Sequence, residues 1–197
     1  MRLTEQVIAK AFSDAGSDKQ SSHNYAEAYA DILQDRDTIE NILEVGIANG
    51  TDGLTSLTAW TELYPDAQVY GADIVREKMV TDQKNIKTFV CDQSNDAALI
   101  YLGERLPLLD VIIDDGSHMF DHARLTFEIL WPKLKSDGVF IIEDISKPGC
   151  AYGEVLQTID EWLEYFEAHG FKVKVYDTRP GVADDSVVIR IEKKDNK

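Results

Sequence analysis

From about residue 39 onward, short apolar runs rich in Ile and Val alternate with segments of helical spacing. That alternation is the strongest constraint on what the chain can fold into. Strand-like runs cover residues 39–45, 67–72, 86–91, 109–113 and 139–142. Helical spacing covers 55–64, 97–105, 120–134 and 154–169, the last closed by Gly170 as a C-cap. Near-continuous apolar strands separated by helices predict a parallel sheet covered on both faces. The end of the chain breaks the pattern. Residues 171–176 and 186–191 read as strands joined by a short loop around Arg179, Pro180 and Gly181, too short for a helix, so this pair is antiparallel. The expected class is α/β, a three-layer sandwich with a mostly parallel seven-stranded sheet and an antiparallel C-terminal hairpin. Two helices, about 3–15 and 24–35, form an N-terminal extension over 1–38. The sheet domain spans 39–192, and 193–197 is a tail.

A length of 197 residues suits one domain with a full core. The formal net charge of −16 repels phosphate backbones, and no Lys/Arg cluster offsets it, so nucleic acid is not an expected partner. No apolar run approaches the roughly 20 residues that span a bilayer, and the N-terminus lacks a signal-peptide core. A cytoplasmic protein without a membrane partner is expected. Cys91 and Cys150 are too few for a disulfide framework and read as reduced thiols. The leading helices either pack on the sheet or exchange between subunits, which leaves a homo-oligomer open.

Successive strands end in an acidic residue or a glycine turn, and open parallel sheets bind ligands just beyond those ends. The first ends Leu43-Glu44-Val45-Gly46-Ile47-Ala48-Asn49-Gly50, where glycines let a ligand approach the backbone; many nucleotide-binding folds share such a turn. Asp73 closes the second strand, where a carboxylate can accept both ribose hydroxyls of an adenosine, in NAD as well as in other cofactors. Asp92, Gln93 and Ser94 close the third, within reach of an adenine edge; each alone is also a common capping residue. The fourth ends Asp114-Asp115-Gly116-Ser117-His118 and the fifth Ile142-Glu143-Asp144. Adjacent carboxylates at neighbouring strand ends call for a cation, and an all-oxygen cluster suits Mg²⁺ first, with Mn²⁺ or Ca²⁺ as alternatives. Glu143 and Asp144 reach one place only if the strand has already turned into a loop. His118 beside these acids is a candidate general base. His122, four residues on, is either functional or a packed capping residue. Zinc at the pair is disfavoured, since no Cys or Glu between them completes a zinc pattern.

The combined segments Leu43–Gly50, Tyr70-Gly71-Ala72-Asp73-Ile74, Cys91–Ser94, Asp114–His118 and Ile142–Ile145 resemble the metal-dependent sugar O-methyltransferases of the mycinamicin and macrocin type. Gly16-Ser17-Asp18-Lys19 and His23-Asn24-Tyr25 resemble the segment that precedes the domain in that group. The resemblance covers about residues 14–145 and implies a Rossmann-like class I methyltransferase fold that binds S-adenosylmethionine and Mg²⁺. It implies that Gly46, with Glu44, Asn49 and Gly50, cradles the methionine part of the cofactor. Asp73 would hold the ribose, and Asp92, Gln93 and Ser94 would lie near the adenine, with Asp114 in the same cofactor-binding set. Asp115, Glu143 and Asp144 would bind the metal and His118 would be the base. Lys19, His23 and Tyr25 would cover the cofactor. Three departures stand out. Ala48 replaces the middle glycine of the familiar turn. About forty residues precede the sheet where the macrolide enzymes carry a large additional domain. Residues 145–152 differ at the acceptor side.

The expected function is therefore O-methylation of a small-molecule acceptor, sugar-like or diol. A catechol-like diol fits the same chemistry. Two rivals belong to other classes. An NAD-dependent oxidoreductase is disfavoured because Gly46 and Gly50 do not give GxGxxG in register. A non-catalytic module binding a nucleoside or metal for regulation leaves the Asp-Asp-Gly-Ser-His cluster without a role.

Overall fold

The computed structural model describes residues 3–47, 54–78, 85–145, 158–179 and 183–193. Three helices lead: α1 (Glu5–Asp14), α2 (Asp18–Ser21) and α3 (Ala26–Leu33). The sheet strands are β1 (Asn41–Val45), β2 (Gln68–Asp73), β3 (Ile86–Val90), β4 (Leu109–Asp114), β5 (Leu134–Ile142), β6 (Val173–Asp177) and β7 (Val187–Glu192). Between them run α4 (Thr55–Leu63), α5 (Asp96–Arg105), α6 (Phe120–Leu130) and α7 (Ile159–Ala168). Helix starts follow local chemistry. The Thr4 hydroxyl caps α1, the Asn95 carbonyl caps α5, and Thr158 with Glu161 forms a reciprocal capping box on α7.

The strand order is β3-β2-β1-β4-β5-β7-β6. The first five strands pair in parallel, and β7 inserts antiparallel between β5 and β6. This is the expected mixed sheet, closed by the expected antiparallel hairpin. One element is shorter than its periodicity predicts. The helix expected over 120–134 stops at Leu130, because Pro132 has no N–H to continue it, and a 3-10 turn over Trp131–Lys133 leads into β5. The helix expected over 154–169 is described only from Ile159.

Alternation along the buried strands sends neighbouring residues to opposite faces. Ile42, Val69, Val111, Ile113, Val139 and Ile141 pack with Phe12, Tyr29, Leu57 and Trp60 of α1, α3 and α4. Leu43, Tyr70, Ile112, Phe140 and Ile142 pack with Leu99, Phe127, Trp162 and Phe166 of α5, α6 and α7. The N-terminal helices thus share the core of one sheet face. Among the described residues, no helix is long and apolar enough to cross a membrane.

Candidate functional site

The strand order reverses between β1 and β4, and ligands of open α/β sheets bind at that crevice. β1 and β4 run in register with Val45 beside Asp114, and β4 and β5 with Asp114 beside Ile142. The first residues beyond these strands, Gly46, Asp115 and Glu143, therefore sit side by side.

Gly46 has φ +89°, and a Cβ there would lie 1.8 Å from the Asp115 carbonyl oxygen, so only glycine fits. Its N–H donates to Ala72 O at 2.8 Å. The next N–H, of Ile47, donates to Asp73 Oδ2 at 2.9 Å, and Val75 N–H donates to Asp73 Oδ1 at 2.8 Å. Asp73 thus ties the β1 turn to the end of β2. Beside it lies a cleft of about 330 Å³ lined by Gly46, Asp73, Ile74, Cys91, Asp92, Gln93, Ser94, Gly116, Ser117 and His122. Asp92 accepts from the Ser94 N–H and hydroxyl through one oxygen, and these bonds draw its carboxyl below the usual range. Gln93 is more committed than expected. Its amide N–H₂ donates to both oxygens of Asp114 and its carbonyl accepts from Ser117 N–H. Asp114 itself is buried; burial pushes its carboxyl up to about 6 against the pull of Gln93 and Gly116 N–H. Asn49 and Gly50 lie outside the described residues.

A second cavity of about 220 Å³ adjoins the first, sharing Gly46, Asp73 and Gly116 and adding Asp18, Asp115, His118 and Asp144. Asp115, His118 and Asp144 each offer a ligand atom within 4.8 Å of the others. His118 and Asp144 both adopt left-handed backbone, φ +57° and +54°, the kind of strain that clusters at functional sites. His118 Nδ1 faces Asp144 Oδ2 at 3.7 Å. His122 instead bonds Ser117 Oγ at 2.9 Å in the nucleoside-sized cleft. His118 precedes α6 rather than lying in it, so the two histidines do not share one helix face as their spacing suggests.

Glu143, expected beside Asp144 as a metal ligand, is placed differently. It is fully buried and accepts from the Lys19 ammonium and the Tyr29 hydroxyl. Asp144 accepts from the Tyr25 hydroxyl at 2.6 Å, with His23 Nδ1 3.4 Å away. The left-handed turn at Asp144 separates the two side chains. Lys19, expected over the cofactor, is instead 1% exposed and joined also to Asp115 at 2.6 Å and Glu44 at 3.4 Å. His23 stacks on Tyr25 and bonds Ser186 Oγ at 3.0 Å. Glu44, expected near the methionine part, is buried and accepts from Trp60 Nε1 at 2.6 Å. Lys19 and Tyr25 therefore bond the strand-end carboxylates directly. Tyr29 was missed by the sequence reading; its i,i+4 spacing from Tyr25 on one helix face was the available signal.

Three carboxylates, Glu44, Asp115 and Glu143, share one ammonium, and Asp144 lies beside them. Burial draws the Lys19 pKa down, but Asp115, Glu143 and Glu44 outweigh it and hold the ammonium protonated. Burial and the neighbouring charge of Asp115 push Asp144 up to about 6, opposed by His118 and His23. Such excess negative charge, with the mostly buried carboxylates of Asp115 and Asp144 converging beside a cavity, fits a hard divalent ion. Mg²⁺ is commonly held by one or two carboxylates with water or substrate completing its shell.

A crystal structure of the MycE methyltransferase from the mycinamycin biosynthetic pathway, in complex with Mg, SAH and mycinamycin VI, superposes with TM-score 0.76 at 24% identity. It covers 94% of this chain and 53% of that one. The fold is that of a Rossmann-like methyltransferase. A second MycE structure, with Mg and SAH, matches at 26% identity and TM-score 0.75. In sequence, this methyltransferase-fold chain is 34% identical over 134 residues to the 8-demethyl-8-alpha-L-rhamnosyl tetracenomycin-C 2'-O-methyltransferase of Streptomyces olivaceus. That match covers 66% of the chain and 35% of the relative. It is 35% identical over 107 residues to the mycinamicin VI 2''-O-methyltransferase of Micromonospora griseorubida, covering 53% and 27%. The chain thus resembles macrolide and sugar O-methyltransferases while spanning about a third of the length of the curated relatives it matches. No family model matches it.

Proposed function

We propose that the chain is an S-adenosylmethionine-dependent, Mg²⁺-dependent O-methyltransferase acting on a hydroxyl of a small sugar-like or diol acceptor. The observation that carries this reading is a pair of adjoining cavities that share Gly46, Asp73 and Gly116, one reaching Asp92 and Ser94 and the other Asp115, His118 and Asp144. Sugar O-methyltransferases among the relatives, and MycE structures with Mg and SAH, support it.

When bound, S-adenosylmethionine supplies an activated methyl group, and Mg²⁺ supplies a Lewis acid that lowers the pKa of an acceptor hydroxyl. Asp73 accepts from the ribose hydroxyls, and Asp92 and Ser94 border the adenine end. Gly46 brings backbone against the cofactor's methionine part. Asp115 and Asp144 hold the metal, and the Tyr25 hydroxyl fixes the direction of Asp144. His118 Nε2 takes the acceptor proton as the oxygen attacks, while Nδ1 faces Asp144. Glu143 and Glu44 stay in the buried wall behind them. An acidic surface suits a small neutral acceptor over nucleic acid.

Calorimetric titration with S-adenosylmethionine, S-adenosylhomocysteine and NAD, with and without Mg²⁺, tests the reading. Binding of the two sulfur cofactors and not NAD is expected, followed by methyl transfer to sugar or diol acceptors that EDTA abolishes. Binding of neither sulfur cofactor would sink it.

A further inference from the structure

We propose that His122 reads the adenine of the bound cofactor, its Nε2–H donating to a ring nitrogen beside the exocyclic amine; the proposal rests on the cofactor reading above. The amine of adenine donates and its ring nitrogens accept, so a protein that recognises it by hydrogen bonds presents an acceptor and a donor. Asp92 is the acceptor: its Oδ1 takes the Ser94 N–H and hydroxyl, which leaves Oδ2 for the amine. The side-chain donors of the cleft are already committed, with one exception. Gln93, expected beside the adenine, gives its amide N–H₂ to Asp114 and its carbonyl to the Ser117 N–H. The Ser94 hydroxyl goes to Asp92, the Ser117 hydroxyl meets His122, and the Cys91 thiol is a weak donor. Among the described side chains that line the cleft, this leaves Nε2 of His122.

The imidazole is held in one orientation and one tautomer. His122 lies in the first turn of α6, where its N–H donates to Met119 O at 3.1 Å, and its Nδ1 is 2.9 Å from Ser117 Oγ. The Met119 N–H donates to the same Oγ at 3.4 Å, which turns the Ser117 hydroxyl proton toward Nδ1. A neutral imidazole that accepts at Nδ1 carries its proton on Nε2. Ser117 is thus the positioning residue and His122 the reader. His122 comes from the segment after β4 and Asp92 from the segment after β3, and both line the one cleft. The Ser94 bonds, and after them the charge of His122, draw the Asp92 carboxyl down, so imidazole and carboxylate stand within electrostatic reach of each other. A base lying between them meets the acceptor with its amine and the donor with the neighbouring nitrogen.

The test is calorimetry on the full chain with S-adenosylhomocysteine and two analogues in which carbon replaces one ring nitrogen of the adenine, N1 or N7, the two that flank the amine. The wild type is expected to bind one of these analogues about tenfold more weakly than S-adenosylhomocysteine. His122→Ala is expected to lose that difference, its affinity for S-adenosylhomocysteine falling to the level of the analogue. A variant that weakens all three ligands by the same factor makes His122 a purely structural residue and overturns the proposal. Equal binding of all three by the wild type overturns it without any variant, as does nitrogen NMR that finds the proton of neutral His122 on Nδ1, so a variant that fails to fold leaves the proposal open to refutation. No binding of S-adenosylhomocysteine by the wild type overturns the cofactor reading and the proposal with it.

Discussion

Gly46 and Asp115 touch through their backbones: a Cβ on Gly46 would lie 1.8 Å from the Asp115 carbonyl oxygen and 2.5 Å from Gly116 Cα. This contact joins the cofactor turn of β1 to the acidic end of β4 at the point where strand order reverses. Gly46→Ala meets both a backbone clash and a left-handed φ of +89°. A loss of about 3 kcal/mol or more in stability is expected, with S-adenosylhomocysteine binding abolished. Urea denaturation and calorimetry measure the two effects, and a variant of wild-type stability would show that the turn relaxes easily.

His118→Asn keeps a side chain that tolerates the left-handed backbone, so the chemistry is tested without added strain. Turnover is expected to fall roughly 100- to 10,000-fold, the range for loss of a general base. Mn²⁺ and S-adenosylhomocysteine affinities should stay within a few fold. Loss of Mn²⁺ binding in the same variant would make His118 a metal ligand instead.

The two adjacent acids after β5 are expected to behave differently. Asp144→Asn removes charge beside the open cavity and should weaken Mn²⁺ binding at least tenfold with little change in stability. Glu143→Gln leaves the buried Lys19 with a weaker partner, and should cost about 3 kcal/mol of stability. Denaturation curves and Mn²⁺ titrations on both variants provide the check; equal effects of the two changes would contradict the separation of their roles.

Cys91 lines the nucleoside-sized cleft, and burial, helped by Asp92, pushes its thiol up to about 11. At pH 8 only about one part in a thousand is thiolate, the reactive form. In a Cys150→Ser background, labelling by a disulfide reagent should be slow at pH 8 and rise about tenfold per pH unit until pH nears 11. Saturating S-adenosylhomocysteine should slow it further. A rate independent of the cofactor would place the cofactor elsewhere.

The layered order of the molecule was legible in the chain because it rests on local signals. Near-continuous apolar runs and helical spacing are short-range, and the missing room between 176 and 186 forces an antiparallel pair. The convergence of Asp115, His118 and Asp144 followed from the same frame, since residues just past neighbouring parallel strands must lie together. What the tertiary structure decided is the direction of each side chain. Glu143 and Asp144 are adjacent in sequence, yet the φ of +54° at Asp144 sends one to Lys19 and Tyr29 and the other to Tyr25 and His118. Lys19 meets Asp115 and Glu143 across 96 and 124 residues of chain. No local pattern encodes such a contact; it exists because α1 and α3 bury Phe12 and Tyr29 against the sheet and carry the intervening segment over the strand ends.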